Sequence, residues 1–116
     1  MNYKVKQPLL GLTDVENVEL EKHDGITTLL RSDKANINIS LINASVDENH
    51  FEIPVGIRTL LDINENTNFS VYFTVIVDNV IQDSSINLGA PIIFNEDNKT
   101  MAQCVISDDL TKIKDL

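Results

Sequence analysis

Along this chain polar and apolar residues alternate one for one, the period of a strand with one face in a core, far more often than they repeat at the helical period. Tyr3 and Val5, continued by Gln7 and Leu9, point away from Lys4 and Lys6; Val18 and Leu20 alternate with Glu19 and Glu21; Ile37, Ile39 and Leu41 alternate with Asn36, Asn38 and Ser40. Each pattern predicts a half-buried strand. Phe69, Val71, Phe73, Val75 and Val77 stand against Ser70, Tyr72, Thr74, Ile76 and Asp78, with β-branched and aromatic residues on both faces, which predicts a central strand. From Asn87 to Asn95 an apolar run is interrupted by Gly89-Ala90-Pro91, and after an acidic, Asn-rich turn a second run extends from Met101 to Ile106. These predict two strands, the first of them broken.

Turn signals separate the strands at Gly11-Leu12-Thr13-Asp14, His23-Asp24-Gly25, Ser32-Asp33-Lys34, Asn43-Ala44-Ser45 and Asn95-Glu96-Asp97-Asn98. Short strands at this spacing indicate a small barrel or sandwich. The exception is the stretch from about Pro54 to Asp62. Pro54 suits a first helical turn, and Ile57, Leu60 and Leu61 then share a face, so a short helix laid over one end of the barrel is predicted. Asp108 to Lys114 places acids first and lysines last, as a helix dipole favours, and reads as a short helix or a frayed tail.

Composition narrows the class. A chain of 116 residues is expected to be one domain spanning 1–116, and 42% hydrophobic with 23% charged residues is ordinary for a protein in water. No apolar run approaches the ~20 residues of a spanning helix, and Met1 to Lys6 opens no secretory signal. Cys104 is the only cysteine, which excludes an intramolecular disulfide, and a cytoplasmic location is expected. With 18 acidic and 9 basic residues the net charge is −9, which repels nucleic-acid phosphate and anionic membranes and attracts basic partners. Neither direct nucleic-acid binding nor membrane binding is expected.

Catalytic chemistry is nearly absent. Cys104 shares a strand face with Ala102 and Ile106 and reads as an inert buried thiol, while His23 and His50 are isolated in polar segments. Asp62-Ile63-Asn64-Glu65-Asn66 opens like a calcium loop, but Thr67 stands where the required glycine belongs and Phe73 where the bidentate Glu belongs, so it reads as a polar helix-to-strand turn. Asp108-Asp109 reads as a solvated pair, and triplets such as Asn98-Lys99-Thr100 imply no glycosylation. No catalytic residue, metal site or cofactor is expected, and the chain is not expected to be an enzyme.

The stretch Ser84-Ser85-Ile86-Asn87-Leu88-Gly89-Ala90-Pro91-Ile92-Ile93-Phe94-Asn95, its turn Glu96 to Thr100, and Met101-Ala102-Gln103-Cys104-Val105-Ile106 together resemble the bacterial flagellar assembly factor FliW family. That family carries a Ser-Thr-like pair, an Asn-Leu-x-Ala-Pro run of aliphatics, an Asn and a Gln-Val strand in this order. Leu41-Ile42-Asn43 matches its aliphatic-Asn strand end, Phe51-Glu52-Ile53-Pro54 its lead into a short helix, and Leu10-Gly11-Leu12 its Pro-Gly-Phe-like turn. The likeness spans roughly Leu10 to Ile106. It departs after Asn43, where Ala44-Ser45-Val46-Asp47 replaces Pro and large apolar residues, and at Ile26 to Leu30, which carries no aromatic residue.

The resemblance implies an all-β, β-barrel-like single domain of short, mostly antiparallel strands with one or two short helices. It also implies a monomeric binding protein that holds flagellin in the cytoplasm and antagonises CsrA, a dimeric RNA-binding repressor of flagellin translation. A flagellin-binding, chaperone-like relative that has lost CsrA binding is the alternative. A small β-barrel enzyme or ligand-binding module is a third class, and clustered titratable groups are lacking for it. Partner contacts are expected at Asn43, Phe51, Glu52 and Pro54 around the strand-to-helix corner, and at Asn87, Leu88, Ala90 and Pro91 around the strand break. Glu52 is the strongest contact candidate among them. Phe51, Leu88 and Ala90 also suit a core, Asn43 and Asn87 suit turn caps, and Pro91 suits the end of pairing along an edge.

Overall fold

The computed structural model describes residues 2–7, 15–22, 27–32, 38–43, 53–76, 85–87, 89–105 and 110–112. Along these run β1 (Asn2–Gln7), β2 (Asn17–Lys22), β3 (Thr27–Ser32), β4 (Asn38–Asn43), α1 (Val55–Leu61), β5 (Phe69–Ile76), β6 (Ser85–Asn87), β7 (Ile92–Asn95), β8 (Thr100–Gln103) and β9 (Leu110–Lys112). The strands order as β4-β3-β2-β1-β8-β7-β5-β6-β9, and a further pairing of β4 with β5 closes seven of them into a barrel. Among the described residues every pairing is antiparallel except that of β1 with β8, which carries an irregularity between Val5 and Gln7.

Strand alternation divides the apolar residues between two cores. Inside the barrel lie Tyr3, Val18, Leu30, Leu41, Tyr72, Ile92, Phe94 and Met101, one or two from each of the seven strands. The ring of Phe94 meets Tyr3 and Tyr72 edge-on, at centroid distances of 4.8 and 5.4 Å. Tyr3 is held further by its hydroxyl, which donates to Glu96 Oε1 at 2.6 Å, and by Lys99 Nζ, 5.4 Å from its ring centroid. Residues one position on face outward: Val71, Phe73, Ile93, Ala102 and Cys104 form a second core with Ile53, Ile57 and Leu61.

The helix therefore packs on the outer wall of the barrel, against β5, β7 and β8, and not over one end as its sequence suggested. Ile57 and Leu61 stack one turn apart on that wall, whereas Leu60 falls at the edge of the stripe and is 37% exposed. Pro54 is the N-cap, so the helix begins at Val55, one position after the predicted start. The other end closes as a Schellman turn, in which Ile63 N–H donates to the Arg58 carbonyl at 2.8 Å and Asp62 N–H to that of Thr59 at 3.3 Å. Asp62 occupies the left-handed position at φ 58°. Asn64 then makes a tight polar turn, its Oδ1 accepting from Asn66 N–H and its N–H donating to Thr67 Oγ1, as the missing calcium-loop glycine implied.

Two strands differ from the sequence reading. Leu110–Lys112 is neither helix nor tail but strand β9, paired with β6 through Ser85↔Lys112 and Asn87↔Leu110. Thr27–Ser32 is a full strand although its residues do not alternate. The broken strand is borne out and gains detail: β6 and β7 lie along the same neighbour, with Tyr72 facing Ile92 and Val75 facing Ile86. Three steps along β5 thus match six along its partner, and the extra residues are the break.

Two stability effects follow. Asp62→Gly removes the strain of a Cβ atom in the left-handed region and is expected to raise the unfolding free energy by about 0.5–1 kcal/mol in urea denaturation. No gain would mean that the Asp62 side chain stabilises the turn by a comparable amount. The second effect concerns the Tyr3 hydroxyl, whose pKa is raised above the ordinary 10.0, first by burial and then by its hydrogen bond to Glu96. The folded chain holds this proton more tightly than the unfolded one, so the contribution is complete below pH 10.0 and falls as pH rises beyond it. The stability difference between the protein and Tyr3→Phe is expected to be level to about pH 9.5 and then to shrink by up to about 1.4 kcal/mol per pH unit. A difference that stays level through about pH 11 contradicts this.

Candidate partner-binding surface

Polar residues inside apolar strands must find partners, and two such residues shape the surface around the predicted contacts. Asn95 ends β7 with a side chain 1% exposed. Its Nδ2 donates to the Leu61 carbonyl at 2.6 Å, an acceptor left open by the end of α1, while its Oδ1 accepts from the N–H groups of Asp97 and Asn98. Asn98 Nδ2 donates to the same Leu61 carbonyl at 3.2 Å. One side chain thereby fastens the helix to the β7–β8 turn. Asp97 ties that turn to the approach to β5, accepting from the N–H and the Nδ2 of Asn68.

Gln103 ends β8 and is also buried, its Nε2 donating to the Ala90 carbonyl at 3.0 Å. Beside it, Cys104 N–H donates to the Pro91 carbonyl at 3.1 Å. The Cys104 thiol is buried in the outer core, and burial pushes its pKa up, which suits an inert thiol.

The two predicted corners approach each other across β5. Tyr72 has Asn43 of β4 on one side and Ile92, the residue after Pro91, on the other. Two strand spacings put these flanking positions about 10 Å apart at one level of the barrel. Pro54 is half-buried, and its carbonyl accepts from Ile57 and Arg58 N–H at 3.0 and 3.1 Å. Its neighbour Ile53 joins the outer core together with Ile86, the neighbour of Asn87. At the break, Asn87 Oδ1 accepts from Gly89 N–H at 3.2 Å, closing a local turn. Ala90 is 2% exposed and Pro91 is fully buried, so these two support the segment from within. Phe51, Glu52 and Leu88 lie outside the described residues, as do His23 and His50. Among the described residues no three His, Cys, Asp or Glu side chains gather as a metal site would require.

The FliW protein family model matches residues 2–116. The chain belongs to the FliW family. Flagellar assembly factor FliW 2 of Wolinella succinogenes is 39% identical over 108 residues, covering 91% of this chain and 79% of that one. FliW of Sulfurimonas denitrificans is 36% identical over 110 residues, and FliW of Helicobacter pylori 33% over 111, covering 87% and 82% of those chains and 93% and 92% of this one. A crystal structure of the flagellar assembly factor FliW superposes with a TM-score of 0.80 at 20% identity, over 96% of this chain and 82% of that one. At that identity the likeness concerns the fold, and it agrees with the closed barrel and short helix of this FliW-family chain.

Asn95 and Gln103 do not stand out in the sequence as organising residues, although a signal is present. Each is an amide placed next to residues that are apolar on both strand faces, Phe94 before Asn95 and Ala102 before Gln103. Removing the Asn95 side chain leaves two N–H groups and most of the Leu61 carbonyl's partnership unsatisfied. Asn95→Ala is therefore expected to cost about 2–4 kcal/mol in equilibrium denaturation and to speed amide exchange in α1. A loss below about 0.5 kcal/mol would refute the clip.

Proposed function

We propose that this chain binds flagellin in the cytoplasm and antagonises a CsrA-type translational repressor, so that free flagellin controls flagellin synthesis. The observation that carries this reading is the FliW family match over residues 2–116. Activity here is binding, not catalysis. When flagellin is scarce the chain is free to hold the repressor off its messenger RNA; accumulating flagellin captures the chain and releases the repressor. Linkage makes the antagonism reciprocal, because an agent that weakens RNA binding must itself bind more weakly to the RNA-loaded repressor.

Charge supports the repressor arm. A net charge of −9 speeds encounter with a basic RNA-binding protein and disfavours RNA beside it. The contacts are proposed around Asn43, Phe51, Glu52 and Pro54, with Asn87 and Leu88, ahead of the buried Ala90 and Pro91, as the neighbouring patch. One sequence feature favours a narrower role: Ala44-Ser45-Val46-Asp47 is less apolar than the tract that follows the matching Asn in the family. On that reading flagellin binding persists and repressor binding is lost.

Size-exclusion chromatography and titration with purified flagellin and with a purified CsrA-type repressor test both readings. A stable complex with flagellin is expected, together with a repressor complex weakened several-fold as salt rises from about 0.05 M to about 0.5 M. Glu52→Ala is expected to weaken binding by about tenfold or less, the range of one lost polar contact. Flagellin binding without repressor binding selects the narrower role. The absence of any complex with either protein ends the proposal.

A further inference from the structure

The break between β6 and β7 is out of step with β5, so its shape must be set from another side. Between the two β5 pairings, Phe73 and Thr74 have no registered partner on β6 or β7. Across from them, the last residues of β8 reach in. Gln103, 5% exposed, donates its Nε2 to the Ala90 carbonyl at 3.0 Å, and the next residue, Cys104, donates its N–H to the Pro91 carbonyl at 3.1 Å. The Gln103 carbonyl in turn accepts from Gln7 Nε2 at 3.0 Å. Two side-chain amides thus connect β1, β8 and the break in one line.

We infer that Gln103 is a positioning residue for partner binding, its side-chain amide fixing the turn that presents Asn87, with Gln7 extending this hold to β1. The cross-strand partner of Gln103, Ile92, lies in the barrel core, on the face opposite to Ala102 and Cys104, and a Leu or Met of similar volume would bury there without needing a hydrogen-bond partner. What the amide supplies is direction: a buried donor aimed at one carbonyl selects one conformation of the break. Asn87 Oδ1, which accepts from Gly89 N–H, closes the same turn from its other end. A partner that docks at the half-buried Asn87 beside the break therefore meets a preorganised surface, and ordering it at the moment of binding is avoided.

The affinity effect rests on the proposed flagellin binding, whereas the effect on the turn does not. Gln103→Leu is compared with Val18→Ala, an inner-barrel variant on β2, for melting temperature, Gly89 amide exchange and flagellin affinity. For Gln103→Leu, Gly89 is expected to exchange about tenfold faster and the flagellin Kd to rise about tenfold, the loss attached to one unsatisfied buried carbonyl. Val18→Ala is expected to lower the melting temperature without changing either. Unchanged Gly89 exchange, or a Kd shift no greater than that of Val18→Ala, overturns the positioning role. If Gln103→Leu does not fold, Gln7→Ala decides, since its side chain is exposed. About a two- to threefold weaker binding and faster Gly89 exchange support the role, and no change in exchange overturns it. Failure of the unaltered chain to bind flagellin counts against the proposed function alone, and Gly89 exchange still decides the inference.

Discussion

Strands β7 and β8 have no solvent face: all four residues of each are buried, between the barrel interior and the helix-covered outer core. Most of the structure depends on that constraint. Apolar side chains on both faces give β7 and β8 their place at the centre of the fold, with Ile92, Phe94 and Met101 inside and Ile93 and Ala102 outside. The polar residues that such strands do contain must be satisfied by whatever surrounds them. Asn95 reaches the end of α1 and Gln103 reaches the break, so each becomes a joint between two parts of the chain. Burial on both faces thus generates specific polar contacts as well as a core.

Much of this fold is legible in the order of residues alone. Alternation locates β1, β2, β4 and β5, and the two-faced apolar pattern of Phe69 to Ile76 marks β5 as central, which its pairing with β4, β6 and β7 bears out. Strand β3 escapes because Thr28 is buried at 6% exposure while Leu29, beside Glu21, is only half-buried. Inside a barrel a threonine can fill a core position, and residue type then no longer reports which way a strand faces. Strand β9 escapes because three residues whose described pairing is with β6 carry no periodicity of their own. The wall position of α1 is hidden for a different reason. A stripe of Ile57 and Leu61 says that a helix has a buried face, and only the outward residues of other strands say where that face goes.

The candidate site is legible in part. Its two corners converge on opposite sides of Tyr72, which no local pattern reveals because β4 and β7 come to flank β5 only through barrel closure. Ala90 and Pro91 prove to be supports beneath the surface, as the core and edge readings of those residues allowed. Family membership and the physical reading meet at the same stretch, since the Ala-Pro and Gln positions that carry the resemblance are those joined by the Gln103 to Ala90 hydrogen bond. That coincidence gives the motif a mechanical reason: it encodes a broken strand together with the group that holds the break in shape.

The parallel pairing of β1 with β8 has a consequence for the life of the chain during synthesis. Lys4 faces Thr100 and Tyr3 reaches Glu96, ninety-three positions later. Until β8 has left the ribosome, β2 to β5 and β7 can pair with one another, but the edge of β1 away from β2 has no partner. Closure on this side therefore waits for Thr100–Gln103, and contacts of such long range place the fold among slowly forming topologies, on the order of milliseconds to seconds. A nascent chain in that interval shows the cell an unpaired strand edge, and its exposure to chaperones, proteases and like-minded edges ends only when the two distant strands meet.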